Sequence, residues 1–290
     1  MKTNSSIKAF LLSAIAASSI ALGGTAAQAT PASDYLNAVL ADSPLVYYRL
    51  NETSGSNAAN LETSGAGSDG TYFGCPGILG AAGIFADNHG DLADNAISLP
   101  GDLSSYVRTD FGGGNPLHPG IGLTYEIWDN TAAPIGNDGA IFDYVVPGSA
   151  NEYLLINPDN LQIGVNSAFS VPGNDISDGL WHHLAMTYDV TGQVDLWIEG
   201  ALAFSTLAAP VPLAADGTMI LGQDQNSPGM GFALNQAFDG RMDEFAIYGS
   251  VRIQLHYNLG AGNTEIAEPA SLALFGRGLI GLGIARRKRA

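Results

Sequence analysis

The chain has 290 residues and a formal net charge of −17 at pH 7, with 28 Asp and Glu side chains against 11 Lys and Arg. A protein this acidic repels nucleic acid and anionic membrane surfaces and attracts divalent cations, so the charge excludes nucleic-acid binding. The single cysteine, Cys75, excludes an intramolecular disulfide. The length suits one large β domain or two small ones.

Residues 1–29 have the pattern of a secretory signal peptide. Lys2 and Lys8 give a cationic start, an apolar run follows at 9–22, and Ala27 and Ala29 frame a small-residue cleavage site. We therefore expect export from the cytoplasm and cleavage by signal peptidase after Ala29.

Two short helices are predicted near the ends of the mature body. One covers 33–40, with Ser33 as N-cap and apolar residues at helical spacing. The other covers 251–259 and is closed by Gly260 as C-cap. Between them, strand and turn patterns predominate.

Short runs of alternating apolar residues recur about every ten residues, which is typical of a sandwich or barrel. The clearest are 123–128, 184–188 and 194–198, and the last two are joined by a predicted hairpin turn at 189–192. A second tight turn is predicted at Glu199 and Gly200. Since no linker or repeat interrupts the pattern, we predict one antiparallel all-β domain over 33–262.

Five motifs stand out along the chain: DGLWHHLAMTYD at 178–189, VDLWIEG at 194–200, FDGRMDEFAIY at 238–248, YYRL at 47–50 and DGTY at 69–72. Together they resemble the laminin-G-like, concanavalin-A-like jelly roll. The resemblance implies an antiparallel two-sheet jelly-roll sandwich, to which the sequence adds the short N-terminal helix and a hydrophobic C-terminal helix.

Within this domain, ILGQDQNS at 220–227 and NQAF at 235–238 are similar to the calcium-binding loop of pentraxins. The resemblance implies a calcium site with these ligands: Asn151, Asp224, Gln225, Asn226 and Gln236. Two carboxylate positions of the family are occupied by Ala150 and Ala233. The family's disulfide is also missing, because Glu126 and Ala185 stand at its cysteine positions.

Calcium is bound by six to eight oxygens, and the matched set supplies five, of which one belongs to a carboxylate. Weak binding near 10⁻⁴–10⁻³ M, about the range of extracellular modules, is therefore expected, with water completing the shell. The alternative is an ordinary polar loop whose amides bond to its own backbone.

Three function classes remain open: a lectin-like binding module, a structural matrix or surface component, and a glycoside hydrolase. Retaining hydrolysis needs two carboxylates about 5–5.5 Å apart, and no strand carries such a pair. Asp243 and Glu244 are adjacent and are expected to point to opposite faces, as are His182 and His183. The prediction is therefore a non-enzymatic module that binds extracellular polysaccharide, with a purely structural component as the alternative.

Tryptophan side chains that face outward could stack on sugar rings. Trp128 and Trp197 are the candidates, although alternation alone also allows both to fill the core. Burial of Trp181 is the firmer expectation.

The C-terminal segment, 267–290, combines three signals. Glu268, Pro269, Ala270 and Ser271 lead into an apolar run at 272–285, which ends in the basic residues of 286–289. This order resembles the PEP-CTERM sorting signal of Gram-negative bacteria, which implies recognition and removal by an exosortase. The protein is then expected to be secreted or displayed at the cell surface.

The same run is a poor permanent anchor. Fourteen helical residues span roughly 21 Å, less than the ~30 Å of a hydrocarbon core, and Arg277 interrupts the run. Transient membrane insertion is therefore predicted, with an ordinary tail anchor as the alternative. Removal of both ends leaves a mature body with four arginines, no lysine and a charge of roughly −23.

Overall fold

The computed structural model describes residues 30–62, 68–111, 122–132, 138–148, 152–209, 216–252 and 256–261. The predicted signal peptide, the cleavage residues Ala27 and Ala29, and the whole segment 267–290 with its helix at 272–285 lie outside these ranges. So do the processing residues Glu268, Pro269, Ala270 and Ser271. Within the described ranges, no helix is both long and apolar enough to cross a membrane.

Two antiparallel sheets form the body, as the sequence predicts. Sheet A contains, in spatial order, β14 (Ala201–Leu207), β13 (Gln193–Ile198), β12 (Trp181–Tyr188), β7 (Leu123–Asn130), β16 (Asp239–Tyr248), β5 (Asn95–Pro100) and β4 (Ala81–Ala82), and β1 (Val46–Tyr48) also pairs with β16. Sheet B contains β11 (Ala168–Ser170), β10 (Gln162–Val165), β9 (Tyr153–Ile156), β8 (Ala140–Val145), β15 (Thr218–Leu221), β6 (Tyr106–Asp110), β3 (Gly70–Phe73) and β2 (Asn57–Ala58).

The main core lies between the two sheets and is rich in aromatic rings. Tyr125 of sheet A stacks on Phe142 of sheet B with centroids 4.7 Å apart, Phe245 stacks on Phe142 at 5.7 Å, and Tyr125 and Phe245 lie 6.3 Å apart. All three side chains are fully buried. Because every second residue of each strand contributes to this layer, the alternation in the sequence corresponds to the sandwich interior.

Three helices cover the outer face of sheet A and bury a second apolar cluster there. They are α1 (Pro31–Ala41), α2 (Ile84–His89) and α3 (Tyr257–Gly260). Trp128 and Trp181 lie in this cluster, together with Tyr35 of α1 and Phe85 of α2. Burial of Trp181 is thereby confirmed, since only 9% of it is exposed.

The helix ends differ from the sequence prediction. Helix α1 starts earlier, because Thr30 is the N-cap and Ser33 is the N3 partner in a capping box. The described part of the C-terminal helix is limited to Tyr257–Gly260, so Gly260 lies inside the helix instead of capping it.

Both predicted hairpin turns are present. Gly192, with φ of 89°, closes the turn from β12 to β13, and Glu199 and Gly200, with φ of 53° and 71°, close the turn from β13 to β14. Glycine reaches such positive φ without the steric cost that a Cβ atom would add.

The expectation that Asp243 and Glu244 point to opposite faces is wrong. A bulge between Asp243 and Ala246 shifts the register of β16, and Glu244 takes a φ of 52°. Both carboxylates are consequently buried near Arg49, where Glu244 is bonded to the guanidinium. The bulge inserts an extra residue, so simple alternation fails at this point.

Candidate functional site

The segment 222–236, which we call the covering loop, connects β15 to β16 and folds over the outer face of sheet B. Gln225 anchors it: its backbone N–H donates to Asp143 Oδ2 at 2.7 Å, and its side-chain amide donates to the Thr218 carbonyl at 2.8 Å. The Gln225 Oε1 atom in turn accepts from Gly229 N at 2.7 Å. Gln225 is therefore fully buried and fixes the loop against the sheet.

Two buried carboxylate oxygens, one in the covering loop and one on the strand beneath it, have no hydrogen-bond partner among the described residues. They are Oδ1 of Asp224 and Oδ1 of Asp143. Asp143 points outward because it lies between the core residues Phe142 and Tyr144 on β8. Such orphaned acceptors cost free energy in a dry environment, so the arrangement favours a proton or a cation.

The electrostatics of these carboxyl groups agree with that conclusion. Burial, followed by the charge of Asp224, raises the pKa of Asp143 well above its usual range. Burial and then the charge of Asp138 raise the pKa of Asp224, while a hydrogen bond from Gln236 acts in the opposite direction. A bound cation would reverse both shifts by stabilising the ionised forms.

The structure brings together part of the predicted calcium set. Gln236 Nε2 donates to Asp224 Oδ2, so these two predicted ligands are in direct contact. Asn226 is exposed and donates to the Gly231 carbonyl at 2.6 Å, which places its side chain in the loop's own bonding. Asn151 lies outside the described residues.

Asp138 and Asp143 are the carboxylates that sequence reasoning missed. Asp143 could have been noticed as a lone acid in the apolar run of β8, and Asp138 is held by Asn235 Nδ2 at 3.1 Å. In the part of the chain that the structure describes, no three His, Cys, Asp or Glu side chains converge on one metal position. An ion at this place would consequently need amide, main-chain or water oxygens in addition.

A shallow depression of about 380 Å³ lies on the same outer face, beside the covering loop. It is lined by Asp69, Thr71, Phe73, Arg108 and Asp110. Arg108 Nε bonds to Asp110 Oδ1 at 3.0 Å, which holds a charged pair inside the depression.

Aromatic rings connect the depression to the covering loop. Phe73 stacks on Tyr106 at 4.5 Å with an interplanar angle of 14°, and Tyr106 meets Phe232 of the loop edge-on at 5.0 Å. Gly229 packs so tightly on Arg108 that an added Cβ would lie 2.3 Å from its Nη1 atom. The depression and the loop are thus parts of one continuous surface.

Trp128 cannot serve as a sugar platform, which corrects that prediction. Its side chain is 1% exposed, and the ring of Tyr257 in α3 stacks on it at 5.9 Å. Trp197 is half-buried on the outer face of β13, opposite Leu202, and remains a prediction.

A buried polar network under α1 and α3 was also missed. Glu126 accepts a hydrogen bond from Tyr248 Oη at 2.6 Å and lies 2.5 Å from His256 Nδ1 and 3.2 Å from His183 Nε2. Although burial opposes ionisation, the charge of His256 and the bonds to both histidines hold the pKa of Glu126 well below its usual range. Since the network is enclosed, its role is to join β7 to β12, to β16 and to His256, the residue before α3.

Comparison with known proteins places this geometry in a family. Residues 101–254 match the model of the concanavalin A-like lectin/glucanases superfamily, Laminin_G_3, over more than half of the chain. The chain belongs to this superfamily, and its two antiparallel sheets form the corresponding sandwich.

Among curated proteins, the chain is similar to pentraxins. It is 35% identical to human neuronal pentraxin-1 over 131 residues, which cover 43% of this chain and 30% of that protein. It is 33% identical to mouse neuronal pentraxin-2 over 150 residues, which cover 50% and 35% of the two chains. The chain therefore spans about a third of the length of these relatives.

Two solved structures share the fold. One is domain 4 of AbnA, a GH43 extracellular arabinanase from Geobacillus stearothermophilus in complex with arabinotriose, with 20% identity, a TM-score of 0.53, and coverage of 75% of this chain and 98% of that one. The other is the binding domain of Paraclostridial Mosquitocidal Protein 1, with 15% identity, a TM-score of 0.53, and coverage of 76% and 52%. At these identities the likeness concerns the fold alone.

Proposed function

We propose that the mature protein is an exported, lectin-like module that binds an extracellular glycan on the outer face of sheet B, assisted by calcium at the covering loop. The membership in a superfamily of lectins and glucanases supports a binding domain of this class. The bound ligand of the arabinanase domain is an arabinose oligomer, which is compatible with this choice of ligand class.

The observation that carries the proposal is the depression beside the covering loop. A sugar has an apolar C–H face and a polar rim of hydroxyl groups, so it needs an aromatic surface next to fixed donors and acceptors. Phe73 supplies the aromatic surface, and Arg108 and Asp110 supply the polar groups. The strongly acidic body disfavours a polyanionic polysaccharide, so the preferred ligand is a neutral glycan.

Calcium fits the chemistry of the covering loop. Asp224 and Asp143 offer unpartnered carboxylate oxygens, Gln236 offers an amide, and calcium prefers such oxygen ligands. An ion there would fix the loop that carries Phe232 against the depression. With two or three protein carboxylates, binding in the range of about 10⁻⁴–10⁻³ M is expected.

Export and sorting complete the proposal. The segment 1–29 would be removed by signal peptidase, and the segment 267–290 would insert transiently into the inner membrane until an exosortase removes it. The binding module would then be secreted or displayed at the surface of a Gram-negative cell, where polysaccharide is the abundant ligand.

Glycoside hydrolysis is less well supported. The two acids of the depression are engaged in structural contacts: Asp110 Oδ1 accepts from Arg108 and from Thr218 Oγ1 at 2.6 Å, and Asp69 accepts from Asn57 and from the backbone of Asn60. A general acid or nucleophile has to exchange a proton or form a bond with the substrate, whereas these carboxylate oxygens already accept structural hydrogen bonds.

A glycan array probed in calcium and in chelator tests the proposal. We expect binding to a neutral glycan that weakens at least tenfold in chelator, and Phe73→Ala should abolish it. Phe169→Ala, which removes a half-exposed ring from β11 of the same sheet, is the matched control and should bind normally. Absence of binding to any glycan, or equal loss in both variants, would contradict the proposal and favour a structural component.

Thermal unfolding tests the calcium part separately. Calcium at ten times Kd should stabilise the native state by roughly 1.4 kcal/mol, and Asp224→Asn should remove most of this gain. Asp195→Asn on β13 is the control and should keep it. Magnesium, which holds its water shell and needs tight octahedral geometry, should stabilise less. Equal stabilisation by both ions in both variants would show that the covering loop is an ordinary polar loop without a specific calcium site.

A further inference from the structure

Strand β14 is the terminal strand of sheet A. Within the described ranges it pairs only with β13, so the backbone N–H and C=O groups along its other side have no strand partner. A row of unpaired groups of this kind is a template for pairing with another strand.

The other sheet edges are short. Strands β4 and β2 have two residues each and β11 has three, whereas β14 has seven, Ala201–Leu207. Very short edge strands are one of the devices by which proteins prevent unwanted pairing. Only β14, among the edges that the structure describes, is long enough to form a ladder of several hydrogen bonds.

Strand β14 also lacks the charges that normally protect an edge. The sequence from 200 to 215 contains no ionisable side chain, although the body as a whole is strongly acidic. Leu202 and Leu207 are 52% and 73% exposed, so the strand presents apolar surface as well as free backbone. A lysine or an inward-pointing charge would be the usual protection, and neither is present.

The distribution of charge favours a second copy of this chain as the partner of β14. Two copies of this chain repel each other wherever their carboxylates approach, and β14 is a neutral strip where that repulsion is smallest. Asp195, which lies opposite Ser205 of β14, already accepts hydrogen bonds from Gln193 and Ser205, at 2.7 and 2.5 Å. A two-fold axis beside β14 would place equal, uncharged and apolar strands against each other, which is the requirement for a self-complementary interface.

We propose that β14 pairs antiparallel with β14 of a second copy, so that the two A sheets become one continuous sheet across a dimer. Five of the seven residues of β14 are exposed, so the strand is accessible within the described part of the chain. The outer face of sheet B, with its depression, points away from this edge and stays free in both copies.

Sedimentation equilibrium over a range of protein concentrations tests the dimer. The sample is the protein as recovered from cells, and if a detergent is needed, the same detergent is used in every run. We expect a reversible monomer–dimer equilibrium that strengthens with added salt, because salt screens the repulsion between two acidic bodies. Leu207→Lys should raise the dimer Kd at least tenfold by placing a charge on the edge. Leu92→Lys makes the same change at a 90% exposed site between α2 and β5, and it should leave Kd unchanged.

Amide hydrogen exchange gives a second readout. The amides of β14 should become more protected as concentration rises in the wild type and in Leu92→Lys, and not in Leu207→Lys. Equal melting temperatures of the two variants show that both fold. A monomer at every concentration, or a dimer whose Kd is the same in Leu207→Lys, would overturn the proposal.

Discussion

Asp129 is a buried carboxyl group whose replacement should stabilise the protein in a pH-dependent way. It lies on β7, with His182 and Met242 as its neighbours on the two adjoining strands. Both of its oxygens are buried and have no hydrogen-bond partner among the described residues. Burial raises its pKa from the ordinary value of 3.8 to about 8, against the opposing charge of His182.

The sign of the effect follows from this shift. The folded state binds the Asp129 proton more tightly than the unfolded state does. The contribution of this proton to the free energy of unfolding is therefore fully present below pH 3.8 and is lost as the pH rises to about 8. One pKa unit corresponds to about 1.4 kcal/mol, so roughly four units set an upper limit of ~6 kcal/mol. Asn has nearly the same shape and cannot ionise, so Asp129→Asn should escape this loss.

Urea unfolding at several pH values between 4 and 9, in chelator, measures the difference. We expect the free energy of unfolding of Asp129→Asn to exceed that of the wild type by an amount that grows with pH, by a few kcal/mol at pH 8. Other buried carboxyl groups contribute equally to both proteins and cancel in the comparison. Asp195→Asn is the control, because its carboxylate is already hydrogen-bonded to Gln193 and Ser205. Parallel curves for Asp129→Asn and the wild type would refute the reasoning.

Three further predictions concern other parts of the molecule. Glu126→Gln should lower the free energy of unfolding by about 3 kcal/mol, because a buried ion pair with His256 is broken. Glu126 raises the pKa of His256 although burial opposes it, and His256 in turn holds the pKa of Glu126 low. The loss seen in denaturant melts should therefore be largest between the ordinary pKa values of the two groups, 4.5 for Glu and 6.5 for His, and should shrink as the pH rises through the folded-state pKa of His256 or falls through that of Glu126. Gly83→Ala should lower the melting temperature, because its Cβ would lie 2.6 Å from Asp243 Oδ2; a neutral result would contradict that packing. Intact-mass measurement of surface or medium material should show a chain that starts at Thr30 and lacks the residues from Glu268 onward, and recovery of 286–289 on it would reject the sorting signal.

The pentraxin-like motif predicted some residues of the candidate site and missed others. Asp224 and Gln236 were predicted from the pentraxin-like loop and lie in contact. Asp143 was not predicted, because it belongs to a strand more than 80 residues earlier in the sequence. Only the pairing of β8 with β15 brings it under the covering loop. The depression was missed for the same reason, since Phe73 and Arg108 come from β3 and β6.

The elements that depend only on neighbouring residues could be predicted from the sequence. Alternation over 123–128 and 184–188 defines strands, and glycine at 192 and 200 closes the turns, because these properties follow from local backbone geometry. Which face of each strand is covered depends on the packing of the whole fold and could not be predicted in this way. Trp128 is fully buried, whereas Trp197, two strands away in the same sheet, is only partly buried, because α3 packs over Trp128. Helix packing depends on contacts between residues that are distant in sequence.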